Sequence, residues 1–195
     1  MKVVIIHYDA GNTQSVGFAL DRLQVPYTIS SHPEDIAQAD KVIFPGVGEA
    51  GSAMRFLEER NLDGLIKTLR QPVLGICLGM QLLCNHSEES DTRCLGVFDL
   101  GVKRFEPTDT AKVPHTGWNN LINTKGWITK DFERTFAYFA HSYYVPVNRY
   151  TVAETEYILP FSAAMQKKNF YGVQFHPEKS GEGGARLLKL FLDIG

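Results

Sequence analysis

Cys77 stands between two glycines in Gly75-Ile76-Cys77-Leu78-Gly79, and about a hundred residues later Gln174-Phe175-His176-Pro177-Glu178 sets an imidazole two residues from a carboxylate. Acyl transfer by a thiol needs three groups: a nucleophile, a base that moves its proton, and a group that orients the base. The two segments contain all three. Gly-x-Cys-x-Gly after an apolar run has the layout of a nucleophile elbow, a sharp strand-to-helix turn that strains the central residue and projects its side chain over a sheet. The flanking glycines leave room for such a turn. A helix beginning after Cys77 would favour the thiolate through its unpaired N–H groups and dipole. Pro177 fixes the backbone after His176, and Glu178 would hold the tautomer and stabilise the imidazolium. Each segment alone has an ordinary reading, a structural cysteine between turn glycines or a polar surface turn. Their pairing in one chain favours the chemistry.

Other residues compete for roles. His141 follows the strand-like run Phe136–Ala140 and rivals His176 as the base; spacing alone does not rank them, and the carboxylate beside His176 decides. His115 is a weaker rival, in Pro114-His115-Thr116-Gly117-Trp118-Asn119, which reads as a loop. His7 ends a strand, and His32 and His86 read as loop or surface residues. Cys84 reads as a core cysteine deeper on the helix that follows Cys77, and Cys94 as a loop residue without a role. A tetrahedral intermediate needs backbone donors at its oxygen. The N–H of Leu78 is one, and Pro45-Gly46-Val47-Gly48 is a second source, although a plain strand-ending turn explains that segment about as well. Glu88-Glu89-Ser90-Asp91 reads as a solvated acidic loop.

The elements that must position these groups follow from periodicity. Val3–Ile6 is a continuous β-branched run, as in a strand covered on both faces. Thr13–Leu23 has helical spacing at Val16, Leu20 and Leu23, with Thr13 or Asn12 as N-cap. Tyr27–Ser30, Val42–Phe44 and Pro72–Ile76 read as further strands, Leu62–Leu69 and Gly79–Cys84 as helices. This alternation predicts a mostly parallel open α/β sheet flanked by helices. In the second half Gly101–Phe105, Thr135–Ala140, Thr151–Glu156, Ala163–Lys167 and Tyr171–Gln174 predict short strands that complete or extend the sheet, some antiparallel. A last helix is expected over Gly184–Asp193.

Bulk properties narrow the class. The chain has 195 residues and reads as one domain over 1–195, with no repeat, linker or low-complexity tract. It is 44% hydrophobic and 22% charged with a formal net charge of −2, which suggests neither nucleic acid nor an anionic membrane as partner. No stretch approaches the roughly 20 apolar residues of a membrane span, and Met1–His7 reads as a strand and not as a secretion signal. Three cysteines cannot all pair within one chain, so reduced thiols in a cytoplasmic protein are expected. The reading calls for no metal and no cofactor.

Taken together, Pro-Gly-Val-Gly, Gly-Ile-Cys-Leu-Gly-Met-Gln-Leu-Leu and Gln-Phe-His-Pro-Glu-Lys-Ser, in that order, resemble the class I (triad-type) glutamine amidotransferases over the whole chain. Asp9-Ala10-Gly11-Asn12, the Pro114–Asn119 segment and His141-Ser142-Tyr143 are similar to one group within that family, the glutaminase subunits of imidazole glycerol phosphate synthases. The resemblance implies a flavodoxin-like fold and a glutaminase in which Cys77 attacks the side-chain amide of L-glutamine, His176 protonates the departing ammonia and Glu178 orients His176. It implies an oxyanion held by Leu78 N–H and a donor from Val47–Gly48, and glutamine gripped around Gly48, Gln81, Ser142 and Tyr143. It further implies a heterodimer with a (β/α)8-barrel cyclase subunit that uses the ammonia in histidine biosynthesis, with Asn12, Trp118, Tyr138 and Lys179 at the interface. The residues themselves leave room for the glutaminase of another synthase, for a free-standing thiol hydrolase, and for a binding module with a relic site.

Overall fold

The computed structural model describes residues 1–8 and 12–195. Asp9, Ala10 and Gly11 of the predicted Asp9–Asn12 segment lie outside the described residues. The first half alternates strand and helix: β1 (Val3–Ile6), α1 (Thr13–Arg22), β2 (Tyr27–Ser30), α2 (Pro33–Ala37), β3 (Lys41–Gly46), α3 (Ala50–Glu59), α4 (Leu62–Thr68), β4 (Val73–Cys77) and α5 (Leu78–Leu82). Short strands follow: β5 (His86–Ser87), β6 (Thr92–Arg93), β7 (Gly101–Arg104), β8 (His115–Asn120), β9 (Phe136–His141) and β10 (Tyr143–Tyr144). The chain closes with β11 (Thr151–Glu156), β12 (Pro160–Lys167), β13 (Phe170–Val173) and α6 (Gly181–Leu192).

Seven strands form the main sheet in the order β11-β12-β13-β4-β3-β1-β2. From β2 to β13 every pairing is parallel; β12 and β11 add antiparallel to that edge. The apolar runs of β1, β3 and β4 are divided between two buried layers because successive side chains point to opposite faces. Val3, Ile5, Ile43, Leu74 and Ile76 pack with α1 and α6 residues such as Leu20 and Phe191. Val4, Ile6, Val42, Phe44 and Val73 pack on the other face with Leu57 of α3 and Ile66 of α4. A sheet covered on both faces by helices is the arrangement the alternation predicts.

Several elements depart from expectation. The sequence pattern misses α3, whose first residues Ala50-Gly51-Ser52-Ala53 carry no large apolar stripe. The carboxylate of Glu49 starts this helix by accepting from the N–H groups of Gly51 and Ser52 at 2.9 and 2.7 Å. The Pro114–Asn119 stretch is not a loop: His115–Asn120 is strand β8, paired antiparallel with β9 in a separate two-stranded ribbon. Its glycine and two asparagines are poor strand formers, so pairing with β9 and not propensity makes it extended. The Gly101–Phe105 run likewise does not extend the main sheet; β7 belongs to a small sheet ordered β10-β7-β5-β6. Of the two predicted N-caps, Asn12 takes the N-cap position of α1 and Thr13 is its first residue, but no side chain makes a capping bond there. Helix α5 ends at Leu82, so Cys84 lies beyond it.

Candidate active site

Strands β3 and β4 end side by side, with Gly46 opposite Cys77 in register. At that edge the backbone turns abruptly into α5, and Cys77 takes φ 52° and ψ −109°, a left-handed conformation that a side chain rarely accepts. Crowding makes the turn possible only with glycine on both sides. A Cβ on Gly79 would overlap the carbonyl oxygen of Phe44, and one on Gly75 would lie 2.8 Å from the nitrogen of Met80. The elbow is therefore pressed against the neighbouring strand, and its strain is held by packing. Because α5 has only five residues, its dipole is a small source of support for a thiolate. One donor to the sulfur is a side chain to which the sequence pattern gives no role: Gln174 Nε2, 3.7 Å away.

His176 and Glu178 follow β13, which lies beside β4. Main-chain bonds fix the segment: His176 N donates to the Tyr138 carbonyl at 2.8 Å, and Tyr138 N donates to Ser180 Oγ at 2.9 Å. Within it His176 Nδ1 donates to Glu178 Oε1 at 2.8 Å, and both side chains are almost wholly buried. A carboxylate only accepts, so Nδ1 carries a proton and Nε2 is left for the sulfur. Burial opposes charge on this imidazole, but Cys77 and Glu178 outweigh it and push its pKa up to about 10. Asn12 Nδ2 donates to the same Glu178 oxygen at 2.9 Å. The side chain expected at an interface thus reaches the carboxylate behind the imidazole.

A cavity of about 230 Å³ opens beside Cys77, lined by Val47, Gly48, Leu78, Gln81, Ser142 and Tyr143 among others. These are the residues named from the sequence for oxyanion and glutamine binding, and the structure gathers them around one space. Val47 is exposed, and Gly48 has φ 112°, a backbone conformation open mainly to glycine. Gln81 is fixed: its Nε2 donates to the Tyr143 carbonyl and to Gln174 Oε1, both at 2.9 Å. Glu89 also lines the cavity. This corrects the reading of its acidic cluster as wholly solvated. One Glu89 oxygen accepts from Ala50 N at 2.9 Å, and burial raises the carboxyl pKa.

His141 lines the same cavity. It does not compete as the base, because its Nδ1 is bonded to the Tyr143 carbonyl at 2.7 Å and its Nε2 faces His115 Nδ1 at 3.0 Å. Burial pushes it down to about 3 and His115 to about 4. Tyr8, which carries no sequence signal, puts a buried hydroxyl beside Gly46 with no partner among the described residues. Cys84 and Cys94 are buried free thiols away from this cavity.

On the outer face of the β8–β9 ribbon, Trp118 and Tyr138 sit opposite each other with ring centroids 6.0 Å apart. Trp118 is 56% exposed and Phe136 beside it 61%, two large apolar groups facing solvent on one small surface. Phe136 has no counterpart in the sequence reading. Lys179 is exposed next to the triad segment. Among the described residues no helix is long and apolar enough to cross a membrane.

Residues 4–194 match the family model described as glutamine amidotransferase class-I. The chain is 58% identical over 196 residues to the imidazole glycerol phosphate synthase subunit HisH of Bacteroides fragilis (strain YCH46), covering 100% of each chain. It is 46% identical to the subunit of the same name in Vibrio parahaemolyticus, covering 99% of this chain and 98% of that one. Among solved structures, a glutamine amidotransferase superposes with a TM-score of 0.72 at 16% identity, covering 96% of this chain and 98% of that one. PurLQS from Thermotoga maritima gives 0.69 at 16% identity, covering 98% and 97%. Likeness at that identity speaks for the fold.

Proposed function

The chain belongs to the class-I glutamine amidotransferase family, and on that premise we propose that it is the glutaminase subunit of an imidazole glycerol phosphate synthase. Its substrate is L-glutamine, its products are glutamate and ammonia, and its partner is a (β/α)8-barrel cyclase subunit that takes the ammonia into an imidazole ring. The observation that carries the chemistry is the Glu178–His176 pair, buried and bonded at 2.8 Å beside a cysteine on a strained elbow. The Cys77 sulfur attacks the amide carbon of glutamine. The carbonyl oxygen becomes an oxyanion, taken by Leu78 N–H and a donor from Val47–Gly48. The carbon–nitrogen bond breaks as the His176 imidazolium protonates the leaving amine, leaving a γ-glutamyl thioester. Water then adds to the thioester, giving its proton to His176, and the sulfur departs with glutamate released.

Binding follows from the cavity lining. Gln81, Ser142, Tyr143 and the Gly48 backbone hold the substrate, and Glu89, the carboxylate on the cavity wall, faces its ammonium group. Trp118, Tyr138 and Lys179 form the docking surface for the cyclase, while Asn12 serves the site from its rim. The exposed Val47 and the glycine after it suit a peptide whose alignment improves when the partner docks. The test is glutamine hydrolysis with and without the cyclase and its nucleotide ligand. Activity that rises strongly with the cyclase and disappears in Cys77→Ala, while external ammonia still supports the cyclase, is the expected result. Full hydrolysis by the isolated chain would overturn the activation by docking, and unaltered hydrolysis by Cys77→Ala would overturn the mechanism.

A further inference from the structure

Two of the imidazoles the mechanism leaves unused, His115 and His141, are joined to the groups it does use. Strand pairing sets His115 directly opposite His141 on the buried face of the β8–β9 ribbon. From there a set of contacts through side chains and one backbone carbonyl reaches the nucleophile. Asn119 Nδ2 lies 3.4 Å from His115 Nε2, and His115 Nδ1 lies 3.0 Å from His141 Nε2. His141 Nδ1 lies 2.7 Å from the Tyr143 carbonyl, which also accepts from Gln81. Gln81 donates to Gln174, and Gln174 donates to Cys77 Sγ.

The direction of this set is determined from both ends. At one end the Tyr143 carbonyl can only accept, so His141 Nδ1 carries the hydrogen. A neutral His141 then has a bare Nε2, which must receive a hydrogen from His115 Nδ1, and His115 Nε2 is bare in turn. At the other end Asn119 Oδ1 accepts from Asn120 N at 2.8 Å and its Nδ2 donates to the Glu156 carbonyl at 2.8 Å. The amide orientation is thereby fixed, and the Asn119 nitrogen presents a donor to His115 Nε2, as the other end requires. Both rings are buried among Phe139, Tyr157 and Phe161, surroundings that keep them neutral. Gln81 spends both Nε2 hydrogens on Tyr143 and Gln174, which leaves its Oε1 as an acceptor at the cavity.

We infer that His115 and His141 are positioning residues, a neutral pair of fixed tautomer that holds the Tyr143 carbonyl and, through it, the amides of Gln81 and Gln174. Donors run from the strand that carries the exposed Trp118 as far as the Tyr143 carbonyl. A second run starts at Gln81, which donates to that carbonyl and to Gln174, and ends at the sulfur. Reversing either tautomer sets two lone pairs or two hydrogens against each other, and reversing His141 takes its N–H from the carbonyl on which Gln81 is built. The effect on binding rests on the reading of glutamine as substrate; the tautomers do not.

The test therefore has two arms. Imidazole ¹⁵N spectra of the full chain at neutral pH should show Nδ1 protonated and Nε2 bare on both His115 and His141. A proton on Nε2 of either ring overturns the inference whatever the substrate. In the complex with the cyclase, His115→Phe keeps the stacking but removes the N–H offered to His141. It should raise the KM for glutamine about tenfold, the worth of one hydrogen bond, and change kcat less than about threefold. His115→Asn restores a donor near Nδ1 and should return KM to within about threefold of wild type. Equal KM values for the two variants, or a loss confined to kcat, would show a packing role and overturn the inference. If wild type with the cyclase fails to hydrolyse glutamine, the proposed function falls and the spectra still decide the tautomers.

Discussion

His176 stands by Cys77 and His141 lines the cavity that opens beside that cysteine; they are 2% and 6% exposed and have opposite electrostatic fates. His176 sits between a sulfur and a carboxylate and is held protonated, up to about 10. His141 sits between a carbonyl and a second imidazole and is held neutral, down to about 3, with the charge of His176 adding to the burial that keeps it so. Burial disfavours charge on both, so the partners and not the depth decide the outcome. One ring is placed to move a proton, and the other is placed to keep one still.

The largest effect that would break this contrast comes from Glu178→Gln. Without the carboxylate His176 should fall back from about 10 toward its ordinary range. Hydrolysis by the cyclase complex should drop about 10²–10⁴-fold, the usual weight of a general acid–base group. The alkaline limb of the pH–rate profile should move to lower pH; an unmoved limb would mean that Glu178 does not set the charge of His176. Gln174→Leu comes next. It removes the donor 3.7 Å from the sulfur and strands one hydrogen of Gln81, so kcat/KM should fall about 10- to 100-fold at unchanged cyclase affinity. A loss below about threefold would deny Gln174 a place at the sulfur.

A smaller effect concerns stability. For His115 and His141 the folded values, about 4 and about 3, lie below the ordinary 6.5. Their contribution is present above about pH 6.5 and is lost as pH falls through the folded values, because the unfolded chain binds those protons first. For His176 the sign reverses: its contribution is present below about 6.5 and lost as pH rises through about 10. Urea unfolding at pH 7 and pH 5 should therefore show a smaller acid loss in His115→Phe than in wild type, and an equal loss would contradict the neutral pair. Smallest of all is the effect of Trp118→Ala on the isolated chain. An exposed ring should leave unfolding within about 0.5 kcal/mol, while calorimetry should show about tenfold weaker cyclase binding. Unchanged affinity would remove Trp118 from the docking surface.

How far the sequence discloses this depends on whether a signal is local. β1, β2 and β11 have the predicted boundaries, because continuous or alternating β-branched runs between turn residues have few other uses. Cys77, His176 and Glu178 declare themselves because each stands within two residues of glycine or proline in a constrained turn. Gln174 and Gln81 are 93 positions apart, and nothing in either neighbourhood says that the two amides meet. Glu89 hides among exposed acids because a charge run reports its average and not the one member that turns inward. β8 hides because pairing overrides the poor strand propensity of His-Thr-Gly-Trp-Asn-Asn. Without that strand the opposition of His115 and His141 cannot be seen.

The two remaining cysteines have a practical consequence. Burial pushes the thiol of Cys94 up to about 12 and that of Cys84 higher still, so neither offers an appreciable thiolate to an electrophile at neutral pH. Of the three thiols, only that of Cys77 borders the cavity at the strand ends. A small alkylating reagent added to the native protein should thus be consumed to one equivalent, and its uptake counts competent molecules in a preparation directly.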